Sequence, residues 1–358
     1  MGPRRLCCPG THRTLSAHRP AKRAATVIIR YQERRRSGGP DVAVPTPSGA
    51  LGRGRVWRTR WHRLDVRASP YLYVAPFFVI FGLFGLFPLL YTAYVSLNKW
   101  NLLDPGGHQW VGLANYSKLL GDPYFWNALR NTISLWILST VPQLVIALGL
   151  AQLLNYRMRG RMLFLVAILL PNVTSVVAVT LVFGQLFGRD FGTVNWVLGP
   201  FGFQGFDWRA DMLASHVAIA SIVTWRWAGC NTVILLAAMQ TIPGELYEAA
   251  AIDGASRWQQ FRHITIPMLR PAIIFVVIIA TVGNMQLLAE PLLFDPIPGS
   301  AAGGSAHQFQ TLGLYLYQQG FTNFRFGYAA AIAWTLFLII MVSVFVSYLV
   351  TRRIRDTG

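Results

Sequence analysis

Residues able to make or break bonds are scarce in this chain and do not cluster. Fourteen carboxylates, seven histidines and three cysteines are spread over 358 residues. None forms an HExxH, a GxSxG or a set with metal-ligand spacing. The three lysines follow Ala21, Asn98 and Ser117, so there is no Gly-rich loop ending in Gly-Lys-Ser/Thr to cradle nucleotide phosphates. Cys7 and Cys8 stand far from Cys230 and suggest neither a disulfide framework nor a zinc site. No catalytic residue, no metal site and no cofactor bound by this chain is expected.

Other residues stand out because of their surroundings. TWRWAGCNT places Trp227 and Asn231 four apart on one helical face, with Cys230 beside them. GNMQLLAE places Asn284, Gln286 and Glu290 in an otherwise apolar run. Aromatic faces stack on the C–H surfaces of sugars, and amides pair with their hydroxyls, so such residues suit a polyhydroxylated ligand bound between helices. Each has a plainer reading: helix packing for Trp227, and for Asn284 an interhelical hydrogen bond of about 1 kcal/mol. Arg226 and Glu290 are the ionisable groups deepest in apolar sequence, but they make no carboxylate relay, and Arg226 has no clear partner within the chain. His216 reads as a hydrogen-bonded or solvated histidine rather than a proton switch.

The elements that hold these residues are apolar. The chain is 53% hydrophobic and 13% charged, too oily for a soluble enzyme of this length. Six segments, 71–97, 128–154, 162–187, 212–239, 271–294 and 327–351, approach the twenty or so helical residues that cross a bilayer. The expected fold is an all-α integral membrane protein with six spans over residues 66–358, preceded by a disordered basic arm over residues 1–65. Residues 1–70 hold sixteen of the thirty-two Lys and Arg. A basic arm also suits nucleic acid, but this one runs into an apolar span, where positive charge acts as a topology signal, so no nucleic-acid partner is expected. Counting alternate loops, twenty-five basic residues fall on one side and six on the other, with Arg226 inside a span. The positive-inside rule then puts both termini in the cytoplasm.

Between the fourth and fifth spans lies EAAAIDGASRWQQFRHITIP, Glu248 to Pro267. Its composition predicts a helix stopped at Gly254, a second helix capped by Ser256 and a stop at Pro267. Trp258, Phe261 and Ile264 give the second helix an apolar edge. By composition alone this is an amphipathic hairpin resting on the bilayer. Its order of residues resembles something more specific. Glu248-Ala249-Ala250, then Gly254, Ile264 and Ile266-Pro267 at their spacings, are similar to the EAA signature of bacterial ABC-importer permeases, with Ile266 where Leu is usual.

The rest of the chain, from about residue 70 to 355, resembles the carbohydrate branch of that family, the maltose and glycerol-phosphate type. FPLLYTAYVSLNKWNLL, WVGLANYSKLLGDPYFWNALRNT and GRMLFLVAILLP carry this likeness, most of all to the first of the two permeases such importers pair. QFQTLGLYLYQQGF and FGYAAAIAWTLFLII are similar to permeases for cellobiose-like disaccharides.

The resemblance implies a subunit of the bacterial inner membrane that is not itself an enzyme. Its implied partners are a second permease, a dimer of ATP-binding subunits that holds ATP and Mg, an extracytoplasmic solute-binding protein, membrane lipid and a sugar substrate. Glu248, Ala249, Ala250, Gly254, Ile264 and Pro267 would form the ATPase-coupling loop. Substrate contacts carried over from the maltose type fall at Val223, Trp227, Cys230, Ala280 and Asn284. Ala280 departs from the small hydroxyl residue expected there. The rival class is an ion-coupled secondary transporter, which would draw on Arg226 and Glu290 and show an internal inverted repeat, of which there is no sign. A membrane enzyme would need a catalytic cluster at one surface.

Overall fold

The structure, a computed structural model, describes residues 71–101, 109–156, 159–202, 205–295 and 303–356. The arm expected over residues 1–65 lies outside the described residues. The chain divides at Phe77; of the first unit only 71–76 are described, and they are helical. The packing below concerns the second unit, Phe77–Gly358.

The first long helix, α1 (Tyr71–Ser96), has none of its most apolar stretch buried. Phe77, Phe78, Phe84 and Phe87 are all more than 60% exposed. Apolar surface this continuous needs hydrocarbon or a partner around it, not water. Strands β1 (Asn98–Lys99) and β2 (Gln109–Trp110) pair antiparallel. A short helix α2 (Ala114–Leu120) then leads into α3 (Pro123–Asn155). Next come α4 (Arg161–Val173), α5 (Val176–Leu186) and a small helix α6 (Thr193–Leu198). Helix α7 (Met212–Met239) is the central element, with 61% of its most apolar stretch buried against 28% in α3. After it come α8 (Gly244–Ile252), α9 (Arg257–Met268), α10 (Arg270–Met285), α11 (Ala289–Phe294), α12 (Leu312–Tyr317) and α13 (Phe326–Asp356).

Among the described residues, four helices are long and apolar enough to cross a membrane unbroken: α1, α3, α7 and the Phe326–Leu349 part of α13. The third and fifth expected spans are not straight. Residues 162–187 form α4 and α5, which meet at 93°. Pro171 cannot donate to the turn before it, and α4 closes at Thr174, whose amide bonds Leu170 O at 3.2 Å while its hydroxyl bonds the carbonyls of Leu170 and Pro171, both at 2.9 Å. The segment 271–294 splits as well. Helix α10 has 16 residues, about 24 Å of rise, against the ~30 Å of a hydrocarbon core. Pro291 has no N–H for the carbonyl of Leu287, which accepts the Thr311 hydroxyl at 2.7 Å instead, so the chain breaks before α11. Helix α10 joins α9 at 69°, and each bent pair counts as one crossing only if taken together.

Large apolar side chains fill the packing, and small residues let the helices approach closely at a few points. Ala147, Ala151 and Leu154 of α3 face Leu235, Leu236 and Met239 of α7, with Leu269 and Val276 completing that cluster. A second cluster joins Leu135, Ile219, Ile222 and Val223 to Leu287, Phe294 and Phe309. Gly229 admits the closest approach: a β-carbon there would lie 1.6 Å from the carbonyl oxygen of Ile168, so α4 and α7 touch backbone to backbone.

Candidate functional site

The segment between α7 and α10 is built from local hydrogen bonds. Helix α8 ends in a Schellman motif: Gly254 takes φ +81°, Ala255 N–H bonds Ala250 O at 2.9 Å, and Gly254 N–H bonds Ala251 O at 3.1 Å. Two residues on, Ser256 starts α9 with a capping box, its hydroxyl accepting from Gln259 N–H while the Gln259 side chain accepts from Ser256 N–H at 2.7 Å. The helix–glycine–helix expectation is met.

The stop expected at Pro267 is not. The chain stays helical to Met268 and turns at Leu269. A wider turn at Phe261–Thr265, in which Ile266 N–H reaches back to Phe261 O, lies immediately before the proline. Its wider spacing accommodates the Pro267 ring, which has no N–H to give the turn before it. The same device, a wide turn at Gly82–Leu86, precedes Pro88 in α1.

Glu248, Ala249 and Gly254 are exposed, whereas Ala250, Ile264 and Pro267 are half-buried. Ile252 is 87% and Trp258 67% exposed, while Phe261 packs inward on the cluster of Met239 and Leu269. The apolar edge of α9 is therefore divided between core and surface. A cleft of about 340 Å³ lies between the two short helices, with Ala250, Gly254, His263 and Ile264 among its walls. Tyr247 Oη sits 2.9 Å from Thr265 Oγ1, tying α8 to the end of α9, and the Arg257 guanidinium lies 5.2 Å from the ring of Tyr156 beyond α3. Glu245, Glu248 and Asp253 are exposed together with Ala249 and Ala251.

The path candidates divide by burial. Val223, Asn231, Ala280 and Asn284 are buried. Trp227 and Cys230 are half-buried, and Trp227 packs against the cluster of Ile219 and Phe294. Gln286 is exposed at the break after α10. Asn284 Nδ2 donates to Thr140 Oγ1 at 2.9 Å and to Gln143 Oε1 at 3.4 Å, so its interhelical role is realised through α3. Thr140 and Gln143 escaped the sequence reading because nothing marks which face of an apolar helix meets another. An apolar groove of about 680 Å³ opens elsewhere on α7, where Ser221, Thr224 and Ala228 face Leu138, Pro142 and Ile168. The Ser221 and Thr224 hydroxyls bond Ala218 O and Ser139 O, which leaves the groove without a spare donor from either.

Arg226 does have a partner in the chain, contrary to the sequence expectation. Its guanidinium donates to Glu290 Oε1 at 2.8 Å, with side chains only 13% and 7% exposed. The signal was present as two opposite charges in apolar sequence, each needing compensation. Arg209 and Asp295 make a looser pair at 3.9 Å. His216 is bonded on both ring nitrogens, to Ser134 Oγ at 2.9 Å and Gln308 O at 3.0 Å, as the hydrogen-bonded reading requires.

Just before α3, Asp122 accepts from Tyr124 N–H and from the hydroxyls of Tyr315 and Tyr328. Burial by itself would raise the Asp122 pKa. The hydrogen bonds from Tyr315, Tyr328 and the Tyr124 and Phe125 amides outweigh it and hold the carboxyl below its ordinary value.

Residues 135–356 match the family described as the binding-protein-dependent transport system inner membrane component. The chain belongs to this family. The family is one of multi-pass transport permeases rather than enzymes, and its matched region spans α3 through α13 with the α8–α9 loop inside it. The chain is 36% identical over 288 residues to the lactose transport system permease protein LacF of Rhizobium radiobacter, covering 79% of this chain and 93% of that one. It is 32% identical over 318 residues to the arabinooligosaccharides transport system permease protein AraP of Bacillus subtilis, covering 88% and 97%. A chain of a bacterial alginate ABC transporter, crystallised with an alginate pentasaccharide-bound periplasmic protein, superposes with a TM-score of 0.69. At 23% identity, covering 83% of this chain and 99% of that chain, it shares the permease fold.

Proposed function

We propose that this permease is the first-type membrane subunit of a binding-protein-dependent ABC importer for a sugar or oligosaccharide, and forms half of its translocation path. One observation carries the reading: the loop with the EAA spacing is exposed, rigidly capped at Gly254 and Ser256, and presents Ile252 and Trp258 to its surroundings. A protruding apolar pair on a stiff two-helix unit suits a protein cleft, here that of a cytoplasmic ATPase dimer holding ATP and Mg. The likeness to lactose and arabinooligosaccharide permeases supports a carbohydrate substrate, a cellobiose-like disaccharide being one form.

In this reading residues 66–358 are the permease domain, residues 1–65 a basic arm, and both termini are cytoplasmic in a bacterial inner membrane. The loaded binding protein docks on the face opposite the loop. ATP closes the ATPase dimer, the Glu248–Pro267 loop follows it, and α7 and α10 move to pass sugar between this subunit and a second permease. Val223, Trp227, Cys230, Asn231, Ala280, Asn284 and Gln286 are the residues on those elements proposed to border the path in one state or another.

The test is co-purification in mild detergent with ATP-dependent sugar uptake in vesicles, comparing wild type with Glu248→Lys, Gly254→Pro. Retention of an ATPase by wild type, and loss of both ATPase and uptake in the variant, is expected. Uptake that follows an ion gradient in both chains with no ATPase present would replace this reading by secondary transport.

A further inference from the structure

The Glu248–Pro267 loop hangs on two stalks, α7 before it and α10 after it. At the end of α10 away from the loop the chain leaves helical geometry at Gln286 and re-enters it at α11. Helix α11 is tied back to the α7 side by acidic residues within it and just beyond it. Glu290 meets Arg226 at 2.8 Å, and Asp295 meets Arg209, which lies just before α7, at 3.9 Å. Arg209 also donates to Gly184 O at 3.0 Å, so α5 is drawn into the same joint. Arg226 Nε and Arg209 Nε are buried with no hydrogen-bond partner among the described residues. Glu290 is therefore the acceptor that fixes Arg226 in apolar surroundings, where an unpaired charge is strongly disfavoured.

A lever works only if the far ends of its arms are held. The geometry points to Arg226 and Glu290 as positioning residues for coupling: their pair is a fulcrum that keeps α11 on α7 while α10 pivots at the Gln286–Leu288 break. Loop motion then changes the angle between the stalks instead of sliding α10 along its axis. This rests on the importer reading above. A fulcrum differs from a gate, because it stays closed throughout the cycle.

The experiment uses the whole transporter in vesicles and reads sugar taken up per ATP hydrolysed. Wild type without a co-purifying ATPase would remove the importer reading itself, so that failure is separate. With the ATPase present, Glu290→Gln and Arg226→Gln are expected to keep ATP hydrolysis stimulated by the binding protein while uptake per ATP falls about tenfold. Exchange of the two charges, Arg226→Glu with Glu290→Arg, is expected to restore it. Unchanged uptake per ATP in the single variants overturns the proposal. Where these do not assemble, the exchanged chain decides: wild-type uptake per ATP supports the fulcrum and its loss overturns it. Arg226→Cys with Glu290→Cys can be bridged by a short thiol-reactive linker, with uptake compared before and after bridging and linker-treated wild type as the control for Cys230. Continued transport after bridging supports a fulcrum, and arrest overturns it in favour of a gate.

Discussion

The α8–α9 loop and the joint between α7 and α11 are both small polar constructions in an apolar protein, yet they are assembled in opposite ways. Within the loop, the Schellman turn and the capping box bridge residues no more than five positions apart. At the joint, Arg226 and Glu290 are 64 positions apart, and Asn284 reaches partners 144 and 141 positions away on α3. A locally built element keeps its shape when its surroundings move. An element built from distant contacts has that shape only while its neighbours stay in place. A rigid loop can be pushed as a unit, and the joint is where the resulting force is borne.

The largest effect should come from the joint. Glu290→Ala leaves the Arg226 guanidinium buried and unpaired, a change costing about 3–5 kcal/mol, and should appear as a lower melting temperature of the detergent-purified chain. Next is the backbone contact of α4 with α7. Gly229→Ala must push Ile168 O away and is expected to cost about 1–3 kcal/mol, seen in the same melting curve and in the yield of monodisperse protein. Loop substitutions should be milder and local. Ser256→Ala removes one half of the capping box for about 1 kcal/mol; the melting temperature should hardly change while ATPase retention weakens. A global loss of stability from Ser256→Ala would show that the loop is not the independent unit its hydrogen bonds describe.

Asn284→Ala should cost about 0.6 kcal/mol, the mean for interhelical hydrogen bonds in lipid. A much larger loss of uptake than of stability would give Asn284 a role beyond its bonds to Thr140 and Gln143. The smallest effect concerns acid. The folded state depresses the Asp122 pKa below 3.8, so the stability it adds is present above that value and lost as pH falls through the folded pKa. The melting temperature of Asp122→Asn should therefore fall less than that of wild type on acidification below about pH 4.

Much of the loop was legible in the sequence. Gly254 marks a left-handed residue, Ser256 with Gln259 marks a cap, and these motifs act through neighbours that any reader of the chain can see. Pro267 was misread because a proline ends a helix only when no wider turn precedes it, and the turn at Phe261–Thr265 depends on how Phe261 and Leu269 pack. The breaks at Thr174 and Gln286 were missed for a related reason. Pro171 and Pro291 are visible in the sequence, but a proline by itself does not place a break, and the Thr311 hydroxyl that takes the Leu287 carbonyl arrives only in the folded chain.

Composition and apolar length by themselves determined that this is a helical membrane protein, and residue order determined the loop between its fourth and fifth apolar segments. Both follow from properties that need no partner: the length of hydrocarbon to be crossed and the hydrogen bonds of a turn. Only the tertiary structure decided that Arg226 belongs to Glu290, that Asn284 belongs to Thr140, and which side of α7 is open. In a soluble helix a polar face reveals the buried one. In a helix surrounded by lipid both faces are apolar, so periodicity carries no such mark, and the choice is made by the helices that pack against it.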